Sequence, residues 1–372
     1  MAVSGIVTIS AVGVDRLSDR RELESRAVGA RGSTDRVRPS MRAVADRAGV
    51  AMSSVSRTLS GHPDVSEAMR QRVLAAVEEL GYKPDLLAQG LRSRSTRSIG
   101  FVAGDISNPL LARIVKGAEV ALREAGYSML LTNSLVDPEL DQRNIELLEQ
   151  RRADGLIVLL VSEDHQPTVA ALADATVPLV VVERDLPDYI PASRVLSDHS
   201  AGMTAAGERL LELGHRRIAV IGGQAVRPTR ERLKAVRAAM ARHGLPADSV
   251  IVREGVFSVE HGARATRELL DMSNPPTAIV AGSNQIMIGA LTIISERGIE
   301  LGRELSFVGC DDLAVATLYR PQIAVVDRDS VAIGRAAAEV VLAHVRNPAT
   351  VRREVILPTM FVPRSSCGPA PD

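Results

Sequence analysis

Met41-Arg-Ala-Val-Ala-Asp-Arg-Ala-Gly-Val-Ala-Met-Ser-Ser-Val-Ser-Arg-Thr-Leu59 holds two short apolar stripes separated by one glycine. Val44, Ala45 and Ala48 share one helical face, Gly49 supplies a permissive turn, and Val55 and Leu59 stand four apart on a second helix. The spacing predicts a helix-turn-helix whose small alanines let the two helices approach closely. Met52, Ser53, Ser56 and Arg57 are left to face outward, a pattern that suits a DNA major groove, where an arginine forks onto a guanine edge. Any helical hairpin shares this periodicity, so the stretch alone leaves a purely structural hairpin open.

Downstream, Val65 to Pro84 reads as a third helix with Ser66 as N-cap, Glu67 in the first turn and Gly81 just past the end. Its expected buried stripe is Val73, Leu74, Val77 and Leu80. The whole chain of 372 residues has a formal net charge of zero, yet residues 38–97 hold ten Arg or Lys against six Asp or Glu. The basic character is therefore local to this end.

From Ile99 the chain alternates apolar runs with helical patterns: Ile99-Gly-Phe-Val-Ala, Met129-Leu-Leu, Leu156-Ile-Val-Leu-Leu-Val, Leu179-Val-Val-Val, Arg217-Ile-Ala-Val-Ile-Gly, Ala278-Ile-Val-Ala and Ser306-Phe-Val-Gly. Such runs suit parallel strands buried on both faces, and the segments Leu110 to Ala125, Ala201 to Leu213 and Arg230 to His243 are long enough for crossover helices. The body is α/β, and ligands of such sheets bind at the carboxyl ends of the strands.

The order of these pieces resembles the lactose-repressor (LacI/GalR) family of bacterial transcription regulators. The match continues through Pro84-Asp-Leu-Leu-Ala-Gln-Gly-Leu-Arg92, Ser98-Ile-Gly-Phe-Val, Asp105-Ile-Ser-Asn-Pro109 and Leu213-Gly-His-Arg-Arg-Ile-Ala-Val-Ile-Gly-Gly223, so it covers the chain from about residue 40 to its end. The resemblance implies an all-α helix-turn-helix head joined to a two-lobed α/β body of the periplasmic-binding-protein type, with two parallel sheets flanked by helices. It divides the chain into a head at 40–84, a hinge or linker at 85–97 and an effector-binding and dimerisation domain at 98–372. The first lobe would comprise about 98–195 and 324–355, and the second about 196–323. Residues 1–39 carry mixed charge and little periodicity, and read as a disordered extension, an extra contact with DNA, or a start assigned too far upstream.

By the same resemblance, base-reading positions fall on Met52, Ser53 and Arg57, and phosphate-gripping positions on Ser40, Ser54 and Ser56. Leu91 would wedge into the minor groove at a central CG step beside Arg92, and a homodimer would read a near-palindromic operator. Ala51 departs from the usual Ser or Thr ahead of the recognition helix and loses a cap worth roughly 1 kcal/mol. Gly90 departs from the larger residues common in the hinge.

Effector contacts implied by the family fall on Asp311 and Arg232, on Phe257 as a stacking ring, and on Leu110 and Leu111 as a cover from the first lobe. Three positions differ: Ser283-Asn284 stands for Asn-Asp, Glu183 for Asp, and Arg328 for a neutral polar residue. The guanidinium of Arg328, with Arg232, points to an effector bearing a carboxylate or phosphate; the alternative is that Arg328 pairs with Asp327 or Asp329. The small-molecule partner is a sugar or related metabolite, and whether it induces or corepresses stays open.

Other classes fare worse. Motifs for dinucleotide, P-loop, hydrolase-elbow and zinc-protease chemistry are missing, His215 reads as a turn residue, and neither an enzyme nor a cofactor is expected. Cys310 and Cys367 have no metal-ligand spacing around them, and no run approaches a membrane span, so a reduced cytoplasmic protein is expected. A solute-binding protein would need export, for which no signal peptide is evident. The short stretch Arg364 to Asp372 holds no leucine heptad, so a coiled-coil tetramer is not expected.

Overall fold

The computed structural model describes residues 39–59, 61–82 and 95–371, which fall into two separate units, one on each side of the 83–94 stretch. The first unit holds helices α1 (Met41–Ala48), α2 (Met52–Leu59) and α3 (Glu67–Leu80) around a small core of Val44, Ala45, Ala48, Val55, Val73, Ala76 and Tyr82. Ser40 caps α1 by accepting from the Ala43 N–H, and Gly49 ends it in the left-handed region at φ 64°. Ser66 and Gly81 do the same for α3. Leu74 is not in the stripe: it is 48% exposed, and Ala76 takes its place. Positions 73, 76, 77 and 80 share one helical face, whereas 74 lies a further 100° round. On α2 the buried pair is Val55 and Thr58 rather than Val55 and Leu59, because the Thr58 hydroxyl is satisfied by the Ser54 carbonyl at 2.8 Å.

The second unit alternates strands and helices throughout. Its first half runs β1 (Ser98–Ala103), α4 (Pro109–Glu124), β2 (Ser128–Asn133), α5 (Pro138–Gln150), β3 (Gly155–Leu159), α6 (Gln166–Asp174), β4 (Leu179–Val182) and β5 (Ala192–Asp198). Its second half runs α7 (His199–Glu212), β6 (Ile218–Ile221), α8 (Arg227–Arg242), β7 (Ile251–Arg253), α9 (Val259–Leu270), β8 (Ala278–Ala281), α10 (Asn284–Glu296), β9 (Ser306–Cys310), α11 (Ala314–Leu318), β10 (Ala324–Arg328), α12 (Ser330–Arg346) and β11 (Glu354–Val362). The strand order is β2-β1-β3-β4-β5-β11-β10-β9-β8-β6-β7. Each half is thus the same doubly wound sheet, read in opposite directions from the shared strand β11.

Two parallel sheets become one continuous order because β11 serves both. Its residues Glu354 to Pro358 pair parallel with β5, and Thr359 to Val362 pair antiparallel with β10. Apolar clusters cover both faces of each half, with α4 and α12 on one side of the first and α7 and α8 on one side of the second. Strands β1, β3 and β4 are buried along their whole length, as their unbroken apolar runs require.

The chain crosses between lobes three times. β5 belongs to the first sheet while α7, capped by Asp198, packs in the second; β10 belongs to the second sheet while α12, capped by Asp329, packs on α4 in the first. The crossings therefore fall after Asp198 and after Arg328, and β10 lies in the second lobe rather than the first, since Ala324 pairs with Val308 of β9. Among the described residues no helix is long and apolar enough to cross a membrane.

The contact of α4 with α12 depends on glycine. A methyl group on Gly334 would run into the Ile114 carbonyl, and one on Gly117 into that of Val331. Replacing Gly334 by valine is expected to destabilise the body by at least about 2–3 kcal/mol, read as a lower denaturant midpoint, because the obstacle is backbone rather than a movable side chain.

Candidate DNA-reading surface and interlobe cleft

On the head, Met52, Ser53 and Arg57 are exposed on α2, while Ser54 and Ser56 are half-buried beside them. The helix opens at Met52 although Ala51 offers no hydroxyl: the Ala51 carbonyl accepts from the Ser54 and Val55 N–H groups at 2.9 and 3.2 Å. The Ser40 hydroxyl is the cap of α1, which leaves its own proton available to a phosphate oxygen. Arg47 holds Glu79 bidentately at 2.8 and 2.7 Å, an exposed pair that orients α1 against α3. Leu91 and Arg92 lie outside the described residues. Just beyond them, Asp154 accepts from the Ser95 hydroxyl and from the Thr96 and Arg97 N–H groups at 2.5, 2.8 and 2.9 Å, which ties the start of the body to the turn before β3.

In the body, the loops that follow the strands' carboxyl ends face one another between the lobes. Glu183 follows β4 and Asp311 follows β9, equivalent places in the two halves, and both adopt positive φ, 57° and 68°. Arg328, the last residue of β10, reaches both: Nη1 donates to Glu183 Oε2 at 2.6 Å and Nε to Asp311 Oδ1 at 3.0 Å. The Ser197 hydroxyl donates to Glu183 Oε1 at 2.6 Å, and His199 Nε2 lies 2.7 Å from Oε2. All four charged or imidazole side chains are buried. Burial alone would raise the Glu183 pKa, but Arg328 and His199 outweigh it and hold the carboxyl well below the usual range. Burial lowers the Arg328 value, and the two carboxylates overrule it and raise it.

Neither expected partner of Arg328 is the real one. Asp327 accepts from the Asp312 N–H and Asp329 caps α12. Nor does the guanidinium stand ready for an anionic ligand, because two buried carboxylates already neutralise it.

Arg232, from α8, donates through Nη1 to the Gly282 carbonyl at 2.5 Å. Asn284, at the start of α10, donates to Asn108 Oδ1 across the cleft at 2.9 Å. Ser283 serves as the cap of α10 by accepting from the Ile286 N–H, so its neighbour Asn284 faces the other lobe instead. Phe257 is half-buried and packs over Gly223, with its N–H on Gln224 Oε1 at 3.1 Å. Leu110 belongs to the core with Ile114 and Ala118, whereas Leu111 is only half-buried. Of the two leucines expected to cover a ligand, Leu111 is therefore the one with exposed surface to offer.

Several functional candidates were not evident from sequence. His199, Ser197 and Asn108 join the cleft beside the Asn284 that the sequence had marked, and its rim is laced by Glu163 and Asp185 from the first lobe against Arg227 and Arg230 from the second. Arg230 Nη2 lies 2.7 Å from both Glu163 Oε2 and Asp185 Oδ2, and Glu163 Oε1 accepts the Arg227 N–H at 2.7 Å. Their places after β3 and β4 and at the start of α8 follow the strand-end rule; their pairing across more than forty residues does not.

Burial keeps His199 neutral, with its pKa lowered to about 4 from 6.5 although the Glu183 carboxylate opposes the shift. Unfolding restores the ordinary value, so below pH 6.5 the unfolded chain binds a proton that the folded one refuses. Stability therefore falls with pH. The Glu183 contribution stays whole down to 4.5, its unfolded value, so between 6.5 and 4.5 the His199 share of the loss is about 2–3 kcal/mol. Thermal melting over that window is expected to show this slope, and His199→Gln to remove that share. His215 and His344 are also lowered by burial and act in the same direction, so the variant isolates His199.

Comparison with known proteins agrees with this arrangement. Residues 40–85 match the family model of bacterial regulatory proteins of the lacI family, and residues 208–367 match a periplasmic binding protein-like domain. The ribose operon repressor of Escherichia coli (strain K12) is 32% identical over 329 residues, 88% of this chain and 99% of that protein. The HTH-type transcriptional regulator DegA of Bacillus subtilis (strain 168) is 30% identical over 88% of this chain and 97% of its own length. Among solved structures, the lac repressor dimer bound to operator and the anti-inducer ONPF superposes with a TM-score of 0.78 at 27% identity, covering 88% of this chain and 99% of that one. The complex of the transcriptional regulator CelR with cellobiose gives 0.67 at 32% identity, covering 88% and 100%.

The chain belongs to the lacI family of bacterial regulatory proteins. It is a DNA-binding transcriptional regulator and not an enzyme.

Proposed function

We propose that the protein is a dimeric repressor of a near-palindromic operator, switched by a neutral polyhydroxylated effector, a sugar or a close relative, held between the lobes. Met52, Ser53 and Arg57 read bases, Ser40, Ser54 and Ser56 meet phosphates, and Leu91 enters the minor groove at the centre of the site with Arg92 beside it. A regulator of the chromosome works in the cytoplasm, and that is where we place it.

One observation carries the effector class. Asp311 Oδ2, Asn284 Oδ1 and Arg232 Nε are buried polar atoms with no partner within the protein. Two accept and one donates. A pair of hydroxyl groups satisfies all three, since each donates and accepts, whereas an anion would set negative charge against Asp311. Phe257 and Leu111 supply the apolar surface that a sugar ring covers. Relatives named for a ribose operon and a regulator solved with cellobiose fit the same chemistry.

The test is a calorimetric titration of the full chain with neutral pentoses, hexoses and disaccharides beside their phosphates and acids. Binding of a neutral sugar that Asp311→Asn and Arg232→Gln abolish is the expected result, and its effect on operator affinity gives the sign of the switch. Preference for the phosphorylated or acidic member of the panel would overturn the class.

A further inference from the structure

Glu183, after β4 of the first lobe, and Arg328, at the end of β10 in the second, touch each other. Their ion pair measures 2.6 Å, and both side chains are more than nine-tenths buried. One of them alone would be a liability, an unpaired charge out of water; together they compensate. Arg328 also holds Asp311 at 3.0 Å, so one guanidinium joins a carboxylate from each lobe. Its own place is the last residue of β10, where the chain crosses from one lobe to the other. Ser197 and His199 flank the other crossing, and both converge on the same Glu183 carboxylate. Two of the three interlobe crossings are thereby fastened to one side chain. Glutamate rather than aspartate provides the extra methylene of reach.

We propose that Glu183 and Arg328 act as an internal occupant of the cleft: they form between the lobes the polar link that a ligand would otherwise supply. The lobes then close in the absence of effector. The effector is confined to the end of the cleft beside Arg232, Asn284 and the second oxygen of Asp311, because reaching Glu183 would mean displacing a buried ion pair. Size selection follows from that confinement, and only this last part rests on the effector reading given above. The rim pairs of Glu163 and Asp185 with Arg227 and Arg230 also join the lobes, but the Arg230 and Asp185 side chains are each about two-fifths exposed and salt weakens such pairs. At high ionic strength the buried ion pair persists beside the Asn284–Asn108 and Arg227–Glu163 hydrogen bonds, which substitution of Glu183 and Arg328 leaves in place.

The experiment measures lobe separation in the full chain by electron spin resonance between labels at Gln166→Cys and Glu260→Cys, exposed positions on α6 of the first lobe and α9 of the second. Cys367 is replaced by serine, and labelled chains are mixed with excess unlabelled chain so that each dimer reports one internal distance. In 0.5 M salt, to the order at which exposed pairs are screened, the ligand-free protein is expected to show a single narrow distance. The double variant Glu183→Gln with Arg328→Gln removes both members of the ion pair while keeping polar side chains, so that Asp311 is the one carboxylate left without its cation, and is expected to lengthen and broaden it, with neutral sugars shortening it again. A long or broad distribution in the ligand-free parent, or a double variant identical to the parent, would overturn the proposal. Neither readout needs DNA or effector. If the parent is narrow and the variant broad while no sugar moves either, the sugar reading fails and the internal link stands.

Discussion

Replacing Glu183 by leucine lowers the stability of the body by about 3–5 kcal/mol, the usual cost of removing one partner of a buried ion pair. Arg328 would keep Asp311 but lose its shorter bond, and Ser197 and His199, both buried, would lose their acceptor. For a unit of this size the loss corresponds to a melting point lower by about 6–10 °C. Glu183→Gln separates charge from shape, since the amide keeps an acceptor for Ser197 while giving up the ion pair; its loss is expected to be smaller but of the same sign. Adding Arg328→Met to the leucine variant recovers part of the stability, and the shortfall measures how much Asp311 needs the guanidinium. A melting point unchanged in Glu183→Leu would show that the network adds nothing to the folded state.

Arg57→Ala weakens operator binding by about 10- to 100-fold, the discrimination that one bidentate contact to a base supplies, and relaxes preference at a single base pair in each half-site. The side chain stands exposed on α2, whose buried residues are Val55 and Thr58. The unfolding free energy of the head, measured alongside, is expected to fall by no more than about 1 kcal/mol, the scale of an exposed polar contact. Binding assays on the parent site and on its single-base variants, at fixed salt, separate the two readings of this arginine. A uniform loss across all sequences, with a shallower salt dependence, marks a phosphate contact; a loss confined to one position marks a base contact.

The head could be read from sequence because its signals are local. Gly49, Ser66 and Gly81 punctuate helices whose apolar spacing lies within a few residues, and the structure uses them in those roles. Leu74 shows the limit of that reading: a leucine next to Val73, a true member of the stripe, points elsewhere by one helical step. Most strands of the body were legible from runs such as Leu179-Val-Val-Val182, but β5, β7, β10 and β11 were not among them, and β2, at the sheet edge, is partly exposed rather than buried on both faces.

The cleft was legible by position but not by partner. Asp311, Arg232, Glu183 and Arg328 all face it, yet the expected partners of Arg328 were its neighbours Asp327 and Asp329. Successive residues of a strand point to opposite sides, which already argues against adjacent pairing. The true partners stand 17 and 145 residues away, and only the register of β9, β10 and β11 brings them together. The boundary expected at 323/324, found instead after Arg328, was missed for a related reason. A crossing is a property of which sheet a strand joins, and β10 carries no composition that distinguishes the second sheet from the first. The hinge expected at 85–97, with its Leu91, lies for the most part outside the described residues, and its role rests on the family.

The most direct test of the account is selection of random duplex DNA by the full chain at low salt, followed by sequencing of the bound pool, with and without the neutral sugar panel. The account predicts one enriched site, two inverted half-sites about a central CG step, whose recovery changes when the bound sugar is added. A pool with no enriched sequence under either condition, or an enriched site without two-fold symmetry, would contradict the reading of this chain as a dimeric, effector-controlled operator-binding protein.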